Sequence, residues 1–140
     1  MNRTNNDRRA HICKFYYCPY NECTITDIPG NKNIQVLASW INLPMQTAEL
    51  KENELLAGEM IEQELSVVLK GKNTDMDNEI TRLVGKQLII RLDYSNDESR
   101  IMGTRDNPVI LSEESAGVIA SLTLVSKHLS AEKTKKLTSF

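Results

Sequence analysis

The chain has 140 residues, 40% of them hydrophobic and 26% charged, with a formal net charge of -2. That is enough for one domain with a real core, and too near neutral for wholesale binding to nucleic acid or to a charged membrane surface. No run of about 18 apolar residues marks a membrane span, and the opening MNRTNNDRRA lacks the apolar centre of a secretory signal, so a cytoplasmic protein is expected.

Residues 1–10 carry Arg3, Arg8 and Arg9 and almost nothing apolar, which reads as a flexible N-terminal arm. The chain then turns aromatic: Phe15, Tyr16, Tyr17 and Tyr20 hold four of its six Phe and Tyr residues, and a first strand is expected over 12–20, ending near Pro19. The run Asp27-Ile28-Pro29-Gly30-Asn31 spells a turn, because proline presets φ and glycine tolerates a positive one. Residues 34–41 fit a strand or a short helix equally well. Residues 47–56 hold helix formers, with a strand bearing a charged outer face as the competing reading.

The clearest local pattern starts at Met60. Ile61, Leu65, Val67 and Leu69 alternate with Glu62, Glu64, Ser66 and Val68, and Gln63 is the one polar entry on the inward row. From Thr74 the spacing becomes helical: Met76, Ile80, Leu83 and Val84 share a face, Thr74 or Asp75 can cap the first turn, and Gly85 suits the stop. A strand is expected over 86–94, a polar turn over 95–98, a partner strand over 99–103, a turn at Asp106-Asn107-Pro108, and a last strand over 118–126. Short strands, frequent turns and one helix place the chain in the mainly β (α+β) class. The expected architecture is an antiparallel β-sandwich or barrel with one helix at about residues 75–84. Residues 11–130 form the expected single domain, and 131–140 a flexible basic tail.

Candidate chemistry is sparse. His11, Cys13, Cys18 and Cys23 raise a zinc site, but the C-x4-C-x4-C spacing lacks the close ligand pair such sites use, and small apolar side chains near a core are the simpler reading. Three cysteines near one end do not make a disulfide framework and would stay reduced in a cytosol. His11 and His128 have no sequence-level partner for acid–base work, and no nucleophile elbow, metalloprotease motif or phosphate loop is present, so the chain reads as non-enzymatic, with no catalytic residue, metal or cofactor assigned. Glu113-Glu114 and the glutamates of 49–64 read as a solvated, edge-protecting row rather than as catalytic carboxylates. Residues 100–108, with Gly103 inside a strand pattern, read as a bulged strand entering a turn, with a ligand loop between Arg100 and Arg105 as the alternative.

One feature of the charge pattern points to assembly. Glu49, Glu52, Glu54, Glu62 and Glu64 make an acidic stretch, and Lys133, Lys135 and Lys136 a basic one. Opposite patches can pair head to tail between neighbouring copies, or within one fold. These eight residues are the candidate interaction residues. The aromatic segment with Lys14 offers a competing use, a stacking platform in a small β-barrel that binds a ligand or nucleic acid.

The order EMIEQELSVVLKG, a short acidic-capped helix through ITRLVG, then KQLIIRLDYSNDESRIMGTRDNPVIL and VIASLTLVS resembles the small structural proteins of phages and prophages. These come from the tail or head–tail region of virions. The likeness covers about residues 59–126 and lies in element order and turn placement. It implies a tail-tube-like β-sandwich that stacks as rings, grips neighbours with termini and loops, and performs no chemistry. A homo-oligomer with other virion proteins as partners follows, with no membrane, no bound nucleic acid and a virion as the second location. The arm at 1–10 and a long loop around 42–58 are the contact segments the resemblance suggests.

Overall fold

Alternation of period two dominates the chain, and it is realised as strands. The computed structural model describes residues 10–28, 30–55, 60–69, 74–114, 123–130 and 132–137. In chain order the strands are β1 (Ile12–Pro19), β2 (Thr24–Asp27), β3 (Asn33–Leu37), β4 (Ile41–Leu43), β5 (Met45–Leu55), β6 (Met60–Leu69), β7 (Gln87–Tyr94), β8 (Ser99–Met102), β9 (Val109–Ile110), β10 (Ser112–Glu114), β11 (Thr123–Ser130) and β12 (Lys135–Leu137). Helix α1 (Thr74–Leu83) lies between β6 and β7, and a single 3-10 turn (Tyr20–Glu22) follows β1. The protein is mainly β with one short α-helix among the described residues.

Two sheets form. The larger has the order β2-β3-β12-β8-β7-β1-β4, with β9 also paired to β7. The smaller has the order β10-β11-β6-β5. Every pairing is antiparallel except β3 with β12, where Ile34 stands beside Leu137. The larger sheet curls into a half-barrel and so carries a core on each face. Phe15, Tyr17, Leu88, Ile90, Leu92 and Met102 meet Leu65, Val67, Leu69 and Leu124 of the smaller sheet, and Ile80 and Leu83 of α1 close one end. A second cluster, Ile25, Ile34, Val36, Ile89 and Ile101, fills the inside of the curl, with Tyr20, Cys23, Trp40 and Leu137 around it. Each fully buried aliphatic side chain contributes about 1.5–3 kcal/mol of transfer free energy, so the two cores supply most of the drive.

α1 is too short to stand alone and lies on this frame. Tyr17 donates its hydroxyl hydrogen to the Glu79 carboxylate, which pins the helix to β1. Gly85, at φ 79, ends it in the left-handed conformation, and its N–H donates to the Leu111 carbonyl at 3.0 Å. Gly103, at φ 102, ends β8; a Cβ there would lie 3.0 Å from Val109 Cγ2 and 3.1 Å from Ile89 Cδ1. Thr104 and Asn107 then close a tight turn with two reciprocal backbone bonds of 3.1 Å. Residues 100–108 are therefore a strand end running into a turn.

The structure resolves the open local readings and corrects others. Residues 34–41 divide into β3 and β4, and 47–56 falls mostly in β5, the strand alternative. The loop around 42–58 is thus largely strand, because every residue of β5 from Thr47 to Leu55 pairs with β6. Of the strand expected over 118–126, the described part, 123–126, lies in β11, which runs on to Ser130; its inward row past Leu124 is Ser126, His128 and Ser130. Its earlier candidates Val118, Ala120 and Leu122 lie outside the described residues, as do the arm at 1–9 and residues 138–140. The tail expected to be loose from 131 supplies β12, inserted between β3 and β8, with Thr134 and Lys135 buried. Composition misled there, because the charge of Lys135 is matched by an aspartate far away in sequence.

Candidate functional site

The acidic stretch divides by face. On the smaller sheet, Glu62 and Glu64 of β6 alternate with the buried Gln63 and Leu65 and look outward. Glu49 faces out beside Ser66, while Glu52 and Glu54 fall on the inward row beside Gln63 and Ile61. The outer face is therefore built of cross-strand rows. Lys127, Glu64 and Lys51 form one, with Lys127 Nζ 4.0 Å from Glu64 Oε1, and Leu129, Glu62 and Asn53 form the next. A shallow depression of about 550 Å³ crosses this face, lined in part by Glu49, Lys51, Glu64, Ser66, Ser112 and Lys127. Such exposed ion pairs fix pairing choices more than they add stability.

The inward row holds a polar network that joins both sheets. Glu52 accepts hydrogen bonds from the Thr134 N–H at 2.8 Å, the Thr134 hydroxyl at 3.0 Å and Gln63 Nε2 at 3.0 Å. Gln63 Oε1 lies 2.8 Å from His128 Nδ1, and His128 Nε2 lies 3.0 Å from the Asn107 carbonyl. Asn107 in turn donates from Nδ2 to the Leu129 carbonyl. Both partners of the imidazole are acceptors, so both contacts are hydrogen bonds at once only in the charged ring. Burial opposes that charge and holds the His128 pKa below its ordinary 6.5. The neutral ring donates to one oxygen and leaves the other facing a lone pair. His128 is therefore a core residue whose partners lie far from it in sequence.

The basic stretch also divides. Lys133 and Lys136 are exposed, whereas Lys135 is 5% exposed. Lys135 Nζ donates to the Asp27 carboxylate and, at 3.0 Å, to the Ile28 carbonyl, and lies 3.2 Å from Glu132. Burial alone would pull its pKa down; the hydrogen bonds and charges of Asp27 and Glu132 carry it up instead. The acidic and basic stretches thus meet inside one subunit at Glu52 and Thr134. Of the eight candidate residues, Glu52 and Lys135 are engaged internally, and Glu49, Glu54, Glu62, Glu64, Lys133 and Lys136 remain on or near the surface. Lys51, Gln63 and Lys127 complete the arrangement. The inward position of Gln63 is the one sequence signal that could have revealed the network.

The other candidates separate. Phe15 and Tyr17 point into the core, and only Tyr16 and Tyr20 lie on the opposite face, so the four aromatics make no common platform. Arg91 stacks on Tyr16 at 4.9 Å and lies 6.0 Å from Trp40, with its guanidinium bonded to Asp93. Cys13 and Cys18 stand about 17 Å apart along β1, five residues at the strand rise, which is too far to share a metal. Among the described residues no three His, Cys, Asp or Glu side chains converge as a metal site requires. Burial pushes the Cys23 thiol up to about 12 and raises Cys18, so both are protonated and poorly nucleophilic at neutral pH.

No protein family, curated protein or solved structure matches this chain. No helix among the described residues is long and apolar enough to cross a membrane.

Proposed function

We propose that the chain is a non-enzymatic structural protein that self-associates through its β surfaces, of the kind built into the tail or head–tail region of phage and prophage virions. One observation carries this reading: β5 is an eleven-residue strand at a sheet edge, and no strand among the described residues pairs with its outer side. A strand of that length leaves a row of backbone donors and acceptors ready for another chain. The charged rows of the adjoining face supply the means to choose a partner. An edge contact that joins two copies can be carried around a ring or along a stack by a second contact through the charged face. The test is electron microscopy of the purified chain at rising concentration, alongside its native mass. Closed rings or stacked tubes are expected. A particle that stays a single copy up to its solubility limit would refute self-association.

The second reading, a small β module for nucleic acid or another ligand, draws on Arg91 lying over the Tyr16 and Trp40 rings, with Lys14 two residues from Tyr16 on β1. It requires salt-sensitive binding of single-stranded nucleic acid, and the pairing of Arg91 with Asp93 weighs against it.

A further inference from the structure

We infer that β5 pairs with β5 of a second copy, antiparallel about a two-fold axis at Leu50, joining two four-stranded sheets into one continuous sheet. This rests on the self-association proposed above and names its surface and register.

Symmetry restricts the choices. A two-fold axis that makes adjacent strands antiparallel must stand perpendicular to the sheet, so residues facing each other share a face. The positions of each facing pair must then add to an even number, and the axis passes midway between one residue and its own copy. Centring on Glu49 sets Glu49 against Glu49. Centring on Lys51 sets Lys51 against Lys51, and centring on Glu52 sets Glu52 against Glu52. Like charges directly opposite are destabilising. Centring on Ala48 joins no opposite charges and leaves the strand beyond Lys51 unpaired. Centring on Leu50 sets Glu49 against Lys51 twice, once on each side of the axis. It is also centred on the strand, because Leu50 is the midpoint of Met45–Leu55.

The remaining pairs fit. Thr47 faces Asn53 on the outer face. On the inner face Leu50 meets Leu50, and Ala48 meets Glu52, whose carboxylate is already turned to Thr134 and Gln63 and needs no partner across the axis. Leu50 is half-buried against the core, so the two leucines extend the apolar layer across the junction. The pairing is confined to Thr47–Asn53, since Met45 shares a surface depression with Lys14 and Tyr16 of β1 and a bulge interrupts the ladder between Met45 and Thr47. The charges that protect this edge from indiscriminate pairing are the same ones that admit this register.

The test is a charge swap in the full chain, read by sedimentation across a concentration series, with circular dichroism checking each fold. Glu49 and Lys51 are exposed, so the variants keep their cores. Glu49→Lys and Lys51→Glu are each expected to weaken the dimer at least tenfold, since each sets like charges together on both sides of the axis. The double variant restores the opposite pairs and is expected to regain most of the loss. Dimers that ignore both single changes, or a double variant as weak as either single one, would overturn this interface while leaving self-association standing. A wild-type chain that never associates would remove both.

Discussion

Lys135 shows how one side chain decides whether a segment belongs to the fold. It stands in a basic run that composition assigns to a loose tail, yet its ammonium is buried against Asp27, Glu132 and the Ile28 carbonyl. A neighbouring lysine, Lys136, shares its strand and points to solvent. The pair makes a controlled comparison. Lys135→Ala would leave the Asp27 carboxylate, only 13% exposed, without its charge partner. Such a loss costs roughly 3–5 kcal/mol, whereas Lys136→Ala is expected to fall within about 0.5 kcal/mol of the parent. Urea unfolding measures both, as a lower midpoint with an unchanged slope for Lys135→Ala. Similar midpoints for the two variants would mean that the last strand is not docked through this ion pair.

At the level of elements, legibility followed the period of the pattern. β6 was clear because four of its five inward positions are aliphatic, and α1 because its spacing changes from two to near four. β5 was ambiguous because its glutamates favour a helix, and only its pairing with β6 makes it a strand. The far end of β11 is illegible because its inward row turns polar after Leu124; a row of Ser126, His128 and Ser130 reads as surface until Gln63 is seen opposite. The candidate site is half legible for the same reason: outward charges can be read from alternation, but Glu52, His128 and Lys135 each have a partner 65 to 108 residues away.

This network sets a pH response. Burial holds the His128 pKa below 6.5, and the charged or titratable groups around the network are Glu52 with Tyr94, Arg100 and Glu98 nearby. Above pH 6.5 the ring is neutral in both folded and unfolded chains, and its contribution is complete. As pH falls below 6.5 the unfolded chain takes up a proton that the folded ring still refuses. Stability then declines until the folded pKa is passed, by at most about 1.4 kcal/mol per pH unit. His128→Gln removes the titrating group. Its stability deficit against the parent is therefore expected to shrink as pH falls through this window, in paired urea titrations. A deficit that stays constant with pH would show that the ring does not titrate differently on folding.

Across the whole molecule, the two cores differ in how far apart their makers lie along the chain. The core between the sheets draws on hairpins such as β5 with β6 and β7 with β8, whose strands follow one another directly. The core inside the curl cannot close until β12, near the chain's end, enters between β3 and β8 and brings Leu137 beside Ile34. Closing that long span costs more chain entropy than closing a hairpin, and its reward comes only when the parallel pairing and the Lys135 ion pair form together. The chain's single tryptophan, Trp40, packs against this second core and reports on it selectively. After dilution from urea, far-UV circular dichroism is expected to recover first as the hairpins form, with Trp40 emission following in a slower phase. A Lys135→Ala chain should lengthen that delay while leaving the early phase unchanged. Identical rates by both probes would mean that the sheets assemble in one step. A chain that folds in this order presents β5, which belongs to the earlier core, before its own tail is seated, so the proposed pairing through that edge would begin while the second core is still closing.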